Sequence, residues 1–240
     1  MTPFIISIAA GCSTLIGGSL ALRLRDRLHL ILGFSAGAVI AVAFFDLMPE
    51  ALNLSDTAYG TTNVISFVAL GFLLYLLLDR LLLLHSHAHE DHEHDESLGH
   101  VRAGSLSLHS FLDGIGIGLA FQVSASVGAV VALAVLAHDF SDGINTVNVV
   151  TRYGGDRKNA FRWLMVDALA PILGVVTTFF FALPGPELGV LLAMFAGFFL
   201  YIGASDLVPE SHHVHPTFWT TAMTIFGAAF LFAAIRLASI

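Results

Sequence analysis

Charge is what this chain is short of. Only 12% of its 240 residues are Asp, Glu, Lys or Arg, while 56% are hydrophobic and the mean hydropathy is +0.83. A soluble domain carries about a quarter charged residues, so that class is excluded and the apolar surface is assigned to lipid. Cysteine is almost missing. Cys12 stands alone, which excludes an internal disulfide and any multi-thiolate metal centre; it lies among small residues and is expected to pack there. Residues 1–10 hold no Lys or Arg. The basic start of a cleaved leader is therefore lacking, and the first apolar stretch reads as a retained helix. There is no basic patch of the kind that grips nucleic acid, and no H-E-x-x-H. The apolar runs do not alternate with polar residues, which excludes a closed β-barrel.

What is present is a series of long apolar runs punctuated by Gly, Pro and charge. They predict an all-α membrane protein with one transmembrane domain over 1–240. Its eight spans are read at 3–22, 28–52, 63–84, 103–122, 127–150, 160–183, 187–209 and 216–238. Nine of the ten basic residues (Arg23, Arg25, Arg27, Arg80, Arg102, Arg152, Arg157, Lys158 and Arg162) fall on one side of that arrangement, and only Arg236 falls on the other. The bias places both termini outside. Five of the eighteen acids behind the formal net charge of −8 gather in a predicted cytoplasmic loop over 85–102, where His85, His87, His89, His92 and His94 alternate with them. Such a tract cannot bury a core, but it can bind Zn²⁺ loosely.

Two strings occur twice, and each copy sets ionisable residues in an apolar run. His109 to Ile115 and His138 to Ile144 share H-x-F-x-D-G-I; Asp46 to Glu50 and Asp206 to Glu210 share D-L-x-P-E. Charged or imidazole side chains inside a membrane cost several kcal/mol each unless they face a partner or a cavity, so they mark a site or a path. Matched pairs point to an inverted repeat, 3 + 2 + 3, with spans four and five at the pseudo-two-fold axis.

His109 and Asp113 lie four apart, on one face of a helix, as do His138 and Asp142. Neutral imidazole with carboxylate suits Zn²⁺, Fe²⁺, Mn²⁺ or Co²⁺. Asp139 points about 100° further round and can serve a neighbouring site with Ser110. Asp167 in span six is another candidate, one turn before Pro171, whose missing N–H frees a carbonyl. Gly114 and Gly143 are expected to let spans four and five approach closely. Asp46 with Glu50, and Asp206 with Glu210, read as entrance and exit ligands beside prolines that kink or end their helices.

In these residues the chain resembles the ZIP (Zrt/Irt-like protein) family of divalent-metal transporters, in its short prokaryotic form. The likeness runs over almost the whole chain. It is carried by the second span, from Gly33 to Ala51, and by His109, Ser110, Asp113 and Gly114 in the fourth. The resemblance implies a binuclear centre, with one metal on His109, Asp113 and Asp142. A second would sit around Ser110, Asp139 and a sixth-span carboxylate, with Asp113 and Asp142 as bridges. It implies passage of Zn²⁺ or a related ion into the cytoplasm across a prokaryotic inner (plasma) membrane. Metal is then the cargo and no cofactor is called for; the partners are the divalent ion and the lipid bilayer, with no nucleic acid. A homodimer is compatible with this reading. Three positions depart from the family pattern: Ser110 replaces a frequent Asn, Ser141 a usual Pro, and Ala170 the Glu often found directly before the sixth-span proline.

Two alternatives compete. A cation diffusion facilitator, which exports metal, also uses H-x-x-x-D and a His-rich loop, but typically has six spans and a soluble C-terminal domain. A zinc-dependent intramembrane hydrolase could hold a catalytic ion on the same His and Asp residues, but has no use for inverted repeats. The favoured reading is a transporter, not an enzyme.

Overall fold

The computed structural model describes residues 1–21, 28–87, 96–213 and 218–238. Eight helices long and apolar enough to cross a membrane occur among them. We number them in chain order. Helix α1 is Thr2–Ala21, and α2 runs through Leu28–Val42, Ala43–Leu47 and Met48–Tyr59. Helices α3, α4 and α5 are Thr61–His87, Glu96–Val123 and Ala125–Arg152. Helix α6 is Arg157–Thr177, and α7 runs through Gly185–Tyr201, Ile202–Leu207 and Val208–His213. Helix α8 is Phe218–Ala238. No strand occurs among the described residues.

Several boundaries differ from those read from sequence. Helix α2 does not stop at residue 52 but continues to Tyr59, where Gly60, at φ +79°, ends it. Helix α4 begins at Glu96, because Gly99 and Ala103 bury against the end of α5 instead of belonging to a solvated loop. His85 and His87 fall at the end of α3, and His89, His92 and His94 lie outside the described residues. The prolines of the two D-L-x-P-E strings neither end nor sharply break their helices. A proline ring collides with the carbonyl four residues back, and here the helix widens into a π turn just before each one. Met48 N–H donates to the carbonyl of Ala43, and Val208 N–H to that of Gly203, five residues back in both cases. Widened turns of this kind concentrate at functional sites.

The helices fall into two closely packed groups. Helix α1 packs on α5 and α6, while α4 packs on α5 and α6; in the second group α2 packs on α8 and α7, and α3 on α7. Lipid supplies no hydrophobic drive between helices, so close approach of backbones over small residues does the work. A Cβ at Gly143 would strike the carbonyl of Thr14, and one at Gly17 the carbonyl of Phe140, so α1 and α5 touch backbone to backbone. Gly114 and Gly174 do the same between α4 and α6, against Pro171 and Phe111. The expectation that Gly114 and Gly143 serve the contact between α4 and α5 is thereby corrected. Each admits a third helix behind its His/Asp face.

This packing predicts a contrast between two glycines. Gly143→Ala places a methyl against backbone that cannot turn aside, and overpacking of this kind costs about 1–3 kcal/mol; it should lower the melting temperature in detergent. Gly104→Ala meets only the Trp163 ring, at 3.6 Å, and should leave the melting temperature unchanged.

Candidate metal centre

The centre is made by two antiparallel helices that each present one ligand pair. On α4 the four-residue spacing stacks His109 over Asp113; on α5 it stacks His138 over Asp142. All four are buried, with 4%, 1%, 0% and 2% of their surface exposed. One ligand atom from each lies within 4.8 Å of the others. His109 Nε2 is 3.1 Å from Asp113 Oδ2 and 3.5 Å from Asp142 Oδ2; His138 Nε2 is 3.1 Å and 3.6 Å from the same two oxygens. With bonds of 2.0–2.2 Å, the ligands of a tetrahedral zinc stand about 3.3–3.6 Å apart. The four contacts bracket that edge.

The hydrogen bonds around the cluster point its nitrogens inward. The Nδ1 of His138 sits 3.0 Å from the carbonyl of Ala134. A carbonyl can only accept, so Nδ1 donates to it, and Nε2, 3.1 Å from Asp113 Oδ2, is the nitrogen turned to the centre. The Nδ1 of His109 lies 3.1 Å from the hydroxyl of Tyr75 on α3. His109 Nε2, Asp142 Oδ2 and both oxygens of Asp139 are buried without a hydrogen-bond partner. Buried polar atoms are almost always satisfied, and two carboxylates facing two neutral imidazoles balance one divalent cation. The donor set fits such an ion.

The remaining sequence candidates divide. Asp139 adjoins the cluster, its Oδ1 3.9 Å from His138 Nε2. Asp167 is fully buried and accepts 2.7 Å hydrogen bonds from the hydroxyls of Ser110 and Thr146, which joins α4, α5 and α6 at that point. Asp46 and Glu50 stand apart from the cluster; Asp46 Oδ2 is buried without a partner, and Glu50 accepts from Asn53 at 3.3 Å. Asp206 lines a cavity of about 520 Å³ that also exposes Tyr75, Asp79, Arg102, Asn145 and Tyr201. Glu210 lies in the last turns of α7.

Sequence reasoning missed Tyr75, Asp79 and Tyr201. The Tyr201 hydroxyl donates to Asp79 Oδ2 at 2.9 Å, and the two tyrosine rings pack 5.3 Å apart. A signal existed. Tyr75 interrupts a run of leucines in mid-span, whereas membrane tyrosines gather at the interfaces, and a buried phenol needs a partner for its hydroxyl. Thr146 carried no signal, since an isolated Thr in a helix usually bonds its own backbone.

Comparison with known proteins agrees with this geometry. The chain is 28% identical over 228 residues to the zinc transporter ZupT of Corynebacterium aurimucosum, covering 87% of this chain and 86% of the relative. It is 28% identical over 233 residues to ZupT of Shigella dysenteriae, covering 89% and 88%, and 26% identical over 239 residues to ZupT of Streptococcus mutans, covering 89% and 90%. The family model described as ZIP Zinc transporter matches residues 101–235, which hold the whole His/Asp cluster, and the chain belongs to the ZIP zinc transporter family.

Proposed function

We propose that the chain carries Zn²⁺, with Fe²⁺, Mn²⁺ and Cd²⁺ as related cargo, into the cytoplasm by way of one resting place formed by His109, Asp113, His138 and Asp142. As a ZIP-family member it is a divalent-metal transporter of the membrane and not an enzyme, and the exporter and hydrolase readings lose their ground. The observation that carries the proposal is the convergence of four buried ligand atoms inside the bundle. Ser110, Asp139 and Asp167 form the adjoining position for a second ion, bridged by Asp113 and Asp142. One chain supplies every ligand.

The 3 + 2 + 3 inverted repeat is supported by the packing. Gly143 against Thr14 and Gly17 against Phe140 repeat as Gly114 against Pro171 and Gly174 against Phe111, and the π turns of α2 and α7 match. In this reading the Arg-rich face is cytoplasmic, both termini lie outside, and the membrane is a bacterial plasma membrane. The cavity at Asp206 is then the inner vestibule; Arg80, Arg102 and Arg152 line it. Alternating access is movement of the group α1, α4, α5 and α6 against the group α2, α3, α7 and α8.

Asp113→Ala tests the site. It removes one of the two anions and leaves a buried charge unpaired, a loss of about 3–5 kcal/mol. Zinc uptake into proteoliposomes should be abolished; wild-type uptake would take the cluster off the path. The two repeated strings should act differently. Asp46→Asn should raise KM for external zinc with maximal flux retained, whereas Asp206→Asn should lower maximal flux. Like behaviour of the two variants would undo the assigned direction. Finally, replacing 88–95 with a short Gly/Ser link, which removes His89, His92 and His94 and spares the buried Gly99, should leave zinc flux intact while weakening loose zinc binding. A folded variant without flux would make the His-rich segment part of the path.

A further inference from the structure

The two imidazoles of the cluster are held in different ways. His138 makes its hydrogen bonds inside its own helix group, to the Ala134 carbonyl 3.0 Å away and to Asp113 3.1 Å away, and meets the other group at the ring of Phe199, 5.9 Å off. His109 is oriented by Tyr75 on α3, which belongs to the other helix group. Tyr75 is 7% exposed, packs its ring on Phe198 at 5.7 Å and Tyr201 at 5.3 Å, and meets the His109 ring edge-on at 6.0 Å. On its other side it lines the Arg-rich cavity. It is therefore both the floor of the cavity and the support of a metal ligand.

We propose that Tyr75 is a positioning residue that makes the metal affinity of the cluster depend on closure of the cavity, an inference that rests on the His/Asp cluster being the ion's resting place. With metal on Nε2, the His109 proton sits on Nδ1 and the Tyr75 oxygen accepts it. That bond fixes the ring plane and keeps the Nε2 lone pair aimed between Asp113 and Asp142. Two events break it: the Tyr75 ring turning aside to open a way into the cavity, or α4 moving past α3 as the groups shift. Either leaves His109 free to rotate, so the ligand set loosens as the way out opens. Tight binding and easy release then belong to different arrangements of one chain. The hydroxyl also stays useful without metal, because it can donate to Nδ1 when the proton has moved to Nε2.

Tyr75→Phe removes the hydroxyl and keeps the ring packing. In the purified full-length protein, zinc affinity measured by titration calorimetry should fall about 10- to 100-fold, the usual cost of losing a partner behind a metal ligand. The Co²⁺ absorption of the site should shift with it. In proteoliposomes KM for zinc should rise while flux at saturating zinc holds, since release does not need the bond. Tyr201→Phe removes the neighbouring hydroxyl, which bonds Asp79 and not His109, and should leave zinc affinity unchanged. Wild-type affinity in Tyr75→Phe overturns the proposal, as does an equal loss in Tyr201→Phe, or a fall in saturating flux with affinity intact. Asp113→Ala separates the two levels: if it too binds zinc normally, the resting place itself is misassigned, whereas loss there beside normal binding in Tyr75→Phe removes only the role of Tyr75.

Discussion

Four ionisable side chains buried in the middle of a membrane bundle are the constraint that the rest of the structure answers. Each would cost several kcal/mol if left to lipid, and two imidazoles facing two carboxylates only partly satisfy one another. The unpartnered His109 Nε2 and Asp142 Oδ2 show where the satisfaction stops. A divalent cation completes the set by supplying the two positive charges the carboxylates lack. A transport site has to stop short of a closed cage, because an ion that is fully satisfied does not leave. Placing the ligands on α4 and α5, with the adjoining Asp139 also unsatisfied, keeps the cluster incomplete by construction.

The surrounding helices serve that purpose by approaching very closely. Glycines immediately after Asp113 and Asp142 let α6 and α1 lie against the backs of the ligand-bearing helices. That contact excludes lipid from the cluster without using bulky side chains, and it ties the four helices into one body. The other four carry the paired π turns, which let Pro49 and Pro209 stand inside continuous helices. A widened turn turns carbonyls away from the regular ladder, a useful property next to Asp46 and Asp206.

The frame is matched in its backbone contacts but not in its polar groups. Gly17 and Gly174 occupy equivalent places, as do Thr14 and Pro171, and Gly11 crosses α6 at Ala168. The same offset makes Ala10 the counterpart of Asp167, so only one half of the frame has a carboxylate there, held by Ser110 and Thr146. Likewise, among the described residues, His109 is hydrogen-bonded to the second group, whereas His138 meets that group through an apolar ring contact with Phe199 at 5.9 Å. In the proposed inverted repeat, such unequal polar groups would make the two end states differ in affinity.

The sequence by itself determined that eight apolar helices would form and that His109 with Asp113, and His138 with Asp142, would each share one face of a helix. Helical periodicity and the cost of ions in lipid are local rules, readable from spacing and composition alone. It did not determine that α2 runs on past residue 52 to Tyr59 or that α4 begins at Glu96, because where a helix ends or begins depends on what packs against it. Nor did it place Tyr75, Asp79 or Thr146. Tyr75 is 34 residues from His109 and Thr146 is 21 from Asp167; no spacing rule links residues on different helices. Which glycine faces which carbonyl, and which imidazole is held by a neighbour instead of its own helix, were decided only by how the eight helices pack. Those contacts are made across the bundle, where chain order carries no information about distance.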